Sequence, residues 1–441
     1  MRAPRIETAL LLLTLSLFSA CGEDSAEPET DAVDDVSVDT DGGSADVLDD
    51  SDSAEADTAD VADTLEDTDP DTLADAADTL GDVDADDVAI DATDAHGSDA
   101  ADAATDTTIP DRPRLDTTSA WPTLSEWAFF TDMNAQTPNN GVIPYTVVSP
   151  LWADHAGKGR YFVLPEGTQI TFGAEETWEF PEGSVVIKTF FHDLDRRDPG
   201  GAFRIVETRL LVRRDGDWKS YTYVWNDEQN DATLAIAGGR VFIDVIDEAG
   251  EAVTQEYIVP NLNQCGNCHE RSDQTQILGL VTQQLNFETE LDGETQNHLE
   301  WLAAQGVFDA ELPPAASLPA LADPHGDGEL DDRARAWLHA NCGHCHRPGG
   351  GGGRSGLTLL AWEEDPARYG VCKSPIAAGA GTGGRSYDIV PGFPDQSIML
   401  FRILSSDPEV KMPELPNRLP DPDGVALLEE WISAMTPTGC E

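Results

Sequence analysis

Between Gly22 and Asp111 the chain carries 33 Asp and Glu residues and not one Lys or Arg. Such a stretch cannot close around a core. It has no Phe, Tyr or Trp, its like charges repel, and its apolar surface is too small to offset the entropy of ordering the backbone. Residues 22–116 therefore read as a disordered, Asp-rich linker that acts as an extended tether. Calcium binding by the Asp runs would need the spaced oxygen ligands and fixed Gly of a calcium hand, which the tract lacks. Of the formal net charge of −58 over 441 residues, the tract holds −33 and the remainder −25. No basic patch is present to neutralise phosphates, so nucleic acid is not an expected partner.

The N-terminus sets the compartment. MRAPRIETALLLLTLSLFSAC has two early arginines, a short apolar run and small residues before Cys21, the pattern of a secretory signal rather than a membrane span. Phe18-Ser19-Ala20-Cys21 resembles the lipobox of bacterial lipoproteins, with Phe where Leu is commoner. On that reading residues 1–21 are a lipoprotein signal peptide and Cys21 becomes an acylated first residue. More than one acyl chain makes a stable membrane anchor. The chain is then an exported lipoprotein on the periplasmic face or cell surface, and Gly22 after the Cys mildly favours the outer membrane. An ordinary cleaved signal is the alternative.

Residues 117–262 have the pattern of an antiparallel β-rich domain, a sandwich or barrel of seven or more short strands. ETRLLVRRDGDWKSYTYVWND is two alternating runs around Asp215-Gly216, a hairpin signal, and a second is centred on Glu248-Ala249-Gly250. After Pro260, helical periodicity takes over. Residues 263–326 are expected to be a helical segment and 327–441 a second domain, the whole forming an all-α region. Its helices are TQNHLEWLAAQG, ELDDRARAWLHANCGHCH and PDPDGVALLEEWISAM, the last with Asp421 as N-cap and Pro422 at the first helical position. The fold class is thus multidomain: acidic tether, β-rich domain, all-α haem region.

Two runs carry the chemistry. QCGNCHERSD and NCGHCHRPGG each contain Cys-x-x-Cys-His, with 73 residues between Cys268 and Cys342. A zinc site built from two Cys pairs usually spaces them by about 15–20 residues and does not explain the His that follows each pair. A redox disulfide of the thioredoxin kind follows a strand in an α/β unit, which neither run does. Covalent haem accounts for all three residues. Two thiols on one turn reach two haem vinyl groups, and the adjacent His lies under the iron. The expected cofactors are therefore two covalently attached haem c groups. Cys265 and Cys268 carry the first, with His269 as iron ligand, and Cys342 and Cys345 carry the second, with His346. His344, between two cysteines, and His339, on the helix, are assigned no role.

Met412, in KMPELP, is the expected sixth ligand at the second site. The order of helix, haem motif, loop, Met-Pro and helix resembles class I cytochromes c, in which a loop Met beside Pro is the distal ligand. Met399 in SIMLFRIL reads as core. For the first iron the candidates are His298, His155, His192, Met133 or no protein ligand. His298 is nearest in sequence, and a satisfied core or surface histidine is the competing reading for it. Cys372 and Cys440 remain as an even pair in an oxidising compartment, consistent with a disulfide or with two unbridged thiols.

From about Leu124 onward the chain resembles a family of bacterial dihaem c-type cytochrome lipoproteins. The resemblance is carried by VIPYTVVSPLWADHAGKGRYFVLPEG, FPEGSVVIKTFF, YIVPNLNQCGNCH, SYDIVPGFPDQSIMLFRI and MPELPNRLPDPDGVALLEEWI. It implies two haems and a cytochrome c-like C-terminal domain, and implies no particular reaction. The expected function is electron transfer with a redox partner protein steered by the acidic surface. No catalytic residue is assigned. The alternatives are a dihaem peroxidase-like enzyme with one open iron, and a surface binding module whose haems are auxiliary.

Overall fold

The computed structural model describes residues 109–440 apart from Glu176, Ala377, Leu415 and Pro416. The signal segment with Cys21, and the tether up to residue 108, lie outside the described residues.

A short hairpin of β1 (Phe130–Asp132) and β2 (Thr137–Pro138) leads into a six-stranded antiparallel sheet. Its strands are β3 (Val142–Pro144), β4 (Gly157–Val163), β5 (Val185–Asp193), β6 (Phe203–Arg214), β7 (Asp217–Trp225) and β8 (Ala232–Leu234), each paired with its neighbours in chain order. Asp215 and Gly216 both have positive φ, 54° and 75°. That is the backbone a two-residue hairpin turn needs, and it joins β6 to β7. A second hairpin pairs β9 (Gly239–Ile246) with β10 (Ala252–Val259), at the position expected from Glu248-Ala249-Gly250.

Strand alternation gives the large sheet two faces. On one, Val185, Ile187, Leu210, Val212 and Tyr223 pack under Trp127, Phe129 and Phe130 of the preceding segment. The other face is divided. Phe162 and Val186 pack toward Ile277, Leu280 and Leu299, while Phe190 and Val206 pack against Ile243, Tyr257 and Val259 of the β9–β10 hairpin. Between these two apolar patches runs a charged row, Arg160–Lys188–Arg209.

The region after Pro260 corrects the all-α, cytochrome c-like expectation. It contains α1 (Gly266–His269), β11 (Glu270–Arg271), β12 (Gln274–Thr275), α2 (Thr282–Leu285), β13 (Glu288–Leu291), β14 (Glu294–Asn297), α3 (His298–Ala304), α4 (Leu330–Asn341), α5 (Ile398–Leu404) and α6 (Pro422–Ala434). Among the described residues these helices are few and short, and only α4 and α6 exceed two turns. Two physical causes account for the difference. The Gly- and Pro-rich stretch between α4 and α5 does not sustain a helix, since each Gly costs about 1 kcal/mol relative to Ala. Asp292-Gly293 is a hairpin turn, so ETEL and ETQN pair as β13 and β14, and the helix expected from Thr295 begins only after Asn297, whose side chain caps it.

Helices α4 and α6 share one core of Ala334, Trp337, Leu338, Leu428, Trp431 and Ile432, with Met399 buried in it. Asp421 makes no side-chain cap on α6. Its Oδ2 instead accepts from Trp337 Nε1 at 2.8 Å. Trp431 Nε1 donates to Asp331 Oδ1 at 2.7 Å, so the two helices are tied at both ends.

Candidate functional site

The first Cys-x-x-Cys-His run is held by a local frame. Asn261 and Gln264 form a reciprocal capping box that starts the turn Leu262–Cys265, and α1 continues it to His269. Ser272 and Asp273, both with positive φ, then reverse the chain between β11 and β12. This return brings Gln276 back to His269. The Gln276 N–H donates to the His269 carbonyl at 2.6 Å, and the Gln276 carbonyl lies 2.8 Å from His269 Nδ1. A carbonyl only accepts, so Nδ1 carries the proton and Nε2 keeps the lone pair. Burial pulls the pKa of His269 down, which keeps the ring neutral.

The second run closes the C-terminus of α4. The Cys342 N–H donates to the Leu338 carbonyl at 2.8 Å, and the His346 N–H to the Cys342 carbonyl at 2.9 Å. The following glycines are not a loose turn. The Gly352 N–H donates to the Cys345 carbonyl at 3.0 Å, and a methyl group on Gly350 would stand 2.5 Å from that same oxygen. The loop delivers Ser355 to the histidine, with Ser355 Oγ 3.0 Å from His346 Nδ1. The Ser355 hydroxyl proton goes to the Gly352 carbonyl at 2.7 Å, so the hydroxyl oxygen accepts from Nδ1–H. His346 therefore has the same tautomer as His269. Burial lowers its pKa to about 4.

The two runs touch. Cys345 Sγ lies 3.2 Å from the Asn267 carbonyl, and the Ser272 N–H donates to the Gly349 carbonyl at 3.3 Å. Gly349 has φ +78°, and a Cβ there would come within 2.7 Å of Ser272 Oγ, so only glycine fits this approach. Ligand atoms of Cys268, His344 and Cys345 all lie within 4.8 Å of one another. Hydrogen bonds from Cys345 and from His344 pull the Cys268 thiol down, whereas Cys345 is held up by its bond to Cys268 and by burial. Burial pushes the Cys342 thiol up to about 12.

Cys265, Cys268 and His269 line a cleft of about 1780 Å³, its open mouth included, whose floor is the divided face of the large sheet. His344 and Gly343 of the second run border it too. Burial raises the Cys265 thiol, and Arg209 near the floor offsets this only in part. Haem fits the first run: both thiols and a neutral imidazole with a free-standing Nε2 lone pair face one large cleft. At the second run His346 has the same tautomer but does not line the cleft, and Cys342 packs against the helical core.

The other residues singled out from the sequence are dispersed. Met412 lines a smaller cavity of about 330 Å³ with Trp152, Trp337 and Asn341, and no Cys or His of either run borders it. His298, the first residue of α3, is fully buried between Phe287 and Trp301 and does not line the cleft. His155 pairs with Glu248 at 3.3 Å, His192 is buried against Tyr257, and Met133 packs on the main core. Cys372 and Cys440 are joined, S–S 2.03 Å. His344 and the Arg160–Lys188–Arg209 row were not assigned to the site from sequence. The only signal was the Lys interrupting SVVIKTFF and the His inside the second pair.

Comparison with protein-family models, with curated proteins and with solved structures returns no match.

Proposed function

We propose that the chain is a dihaem electron-transfer protein, with haem joined to Cys265 and Cys268 and to Cys342 and Cys345, and with His269 and His346 as iron ligands. The observation that carries this reading is the common state of the two imidazoles. Each has its Nδ1 proton held by a fixed acceptor, Gln276 or Ser355, which is how a protein orients a metal-ligating histidine and raises its basicity. Each of these cysteines would hold haem as a thioether, by addition of S–H across a vinyl C=C, which would need neither oxidant nor leaving group. Haem bound in this way supplies a one-electron iron couple. Met412, which shares a cavity with Asn341 but not with His346, is kept on the sequence pattern alone as the sixth ligand proposed for the second site. Cys21 would anchor the chain to a membrane, and the acid-rich chain would steer a basic or neutral redox protein in a salt-sensitive encounter.

A second reading is favoured by one observation, the convergence of Cys268, His344 and Cys345. Two thiolates and an imidazole suit a zinc-like ion.

Protein co-expressed with a c-type haem maturation system separates these readings through its pyridine haemochrome, zinc content and EPR. Two haems per chain, both low spin, support electron transfer. Two haems with one high-spin iron support the enzyme reading, which turnover of peroxide then checks. Absence of covalent haem, with one zinc that is lost in Cys268→Ser, establishes the second reading instead.

A further inference from the structure

The charged row on the cleft floor is costly on its own terms. Arg160 pairs directly with Lys188 across β4–β5, and Lys188 with Arg209 across β5–β6. Like charges directly opposite on one face destabilise a sheet. Here three occur in register, in a chain whose net charge is −58. The acid that acts on Lys188 is Glu207, buried and already engaged by Arg209 and by Tyr257 Oη at 2.6 Å. Among the described residues no ion pair joins Arg160 or Lys188, and Arg209 Nε is buried without a hydrogen-bond partner. Lys188 and Arg209 both lean on the Phe190 ring, 4.9 and 4.5 Å from its centre. Burial and the neighbouring cations hold the Lys188 pKa well below its ordinary value. All three side chains line the cleft that Cys265, Cys268 and His269 also line.

We propose that Arg160, Lys188 and Arg209 are an anion-binding floor that holds the paired carboxylates of the haem attached at Cys265 and Cys268. The inference rests on the haem reading above. A row in which neither Arg160 nor Lys188 has an ion pair matches a ligand with two carboxylates, and placing them there turns a like-charge penalty into charge-assisted hydrogen bonds. The arrangement also orients the group. The thioether end is fixed by α1 and the acid end by the sheet, so the residues of two separate elements define its position in the cleft. A free dicarboxylate has the same chemistry and is the other source of such a ligand.

The test compares the full haem-loaded chain with Arg160→Gln, Lys188→Met and a control, Lys219→Gln. Lys219 is paired only locally with Asp217 at the start of β7 and does not line the cleft. Haem count is read by pyridine haemochrome and the carboxylates by the propionate bending band in resonance Raman. The expected result is an unchanged haem count, a shifted band in both cleft variants and an unshifted band in the control. A haem at the first motif with an unshifted band in both cleft variants overturns the proposal. If the first motif carries no haem, the haem reading has failed by itself, and succinate binding by thermal shift then decides the floor. Protection that is lost in Lys188→Met keeps the anion floor and assigns it to a free dicarboxylate; no protection overturns the floor as well.

Discussion

Cys345 Sγ sits 3.2 Å from the carbonyl oxygen of Asn267, so a cysteine of the second Cys-x-x-Cys-His run rests on the backbone of the first, 78 positions earlier in the chain. The two runs are thus one structural unit. Emptying the second by Cys342→Ser with Cys345→Ser is expected to reduce the haem count from two to one and to shift the midpoint potential of the haem that remains. Spectroelectrochemical titration checks this. An unshifted potential would mean that the contact does not couple the two sites.

Ser355 accepts the Nδ1 proton of His346 while giving its own proton to Gly352. Ser355→Ala leaves that nitrogen without its acceptor, at a cost of about 1–3 kcal/mol in denaturant unfolding. With haem bound as proposed, the imidazole would also become a weaker donor to a ferric iron, and the potential of that haem would rise. Ser355→Thr, which keeps the hydroxyl, is expected to restore both quantities.

Gly350 lies against the Cys345 carbonyl, where an added methyl would stand at 2.5 Å. Gly350→Ala is expected to lose about 1–3 kcal/mol and to lower the yield of chains with haem at the second motif. Gly239→Ala, where nothing lies within 4 Å of the added atom, should change stability by no more than about 0.5 kcal/mol. Urea titration of the two variants side by side measures the difference.

His298 is enclosed by Phe287 and Trp301, and neither ring nitrogen has a partner. Burial lowers its pKa to about 4 from an ordinary 6.5. Between those values the unfolded chain binds a proton that the folded chain refuses. This contribution is therefore fully present above about pH 6.5 and is lost as pH falls toward 4, by up to about 3 kcal/mol. His298→Phe should flatten the acid limb of the stability profile and leave the neutral-pH stability equal or higher, since no hydrogen bond is lost. An unchanged acid limb would show that another group, such as His192 with its pKa lowered to about 3 by burial, controls it.

Much of this molecule was written in local sequence. Asp215-Gly216 demanded a hairpin because both positions need positive φ. The β-branched and aromatic run over 184–191 and the alternation over 207–227 set strands, and helical periodicity with Pro422 at a helix start placed α4 and α6, because such signals act over a few residues. The two Cys-x-x-Cys-His runs were legible for the same reason. Chain-wide arrangement was not. An all-α C-terminal half was overturned by glycine-rich loops and by the Asp292-Gly293 hairpin, where turn chemistry outweighs helical periodicity. The pairing of Cys372 with Cys440 could only be one of two options until the tertiary structure joined them. Strand register put Arg160, Lys188 and Arg209 on one row, and packing set Cys268 beside His344 and Cys345. Sequence alone determined which chemical groups the protein has and how each short segment bends. Only the tertiary structure decided which of those groups meet, because contacts between distant segments come from burial and register across the whole sheet, which no local window contains.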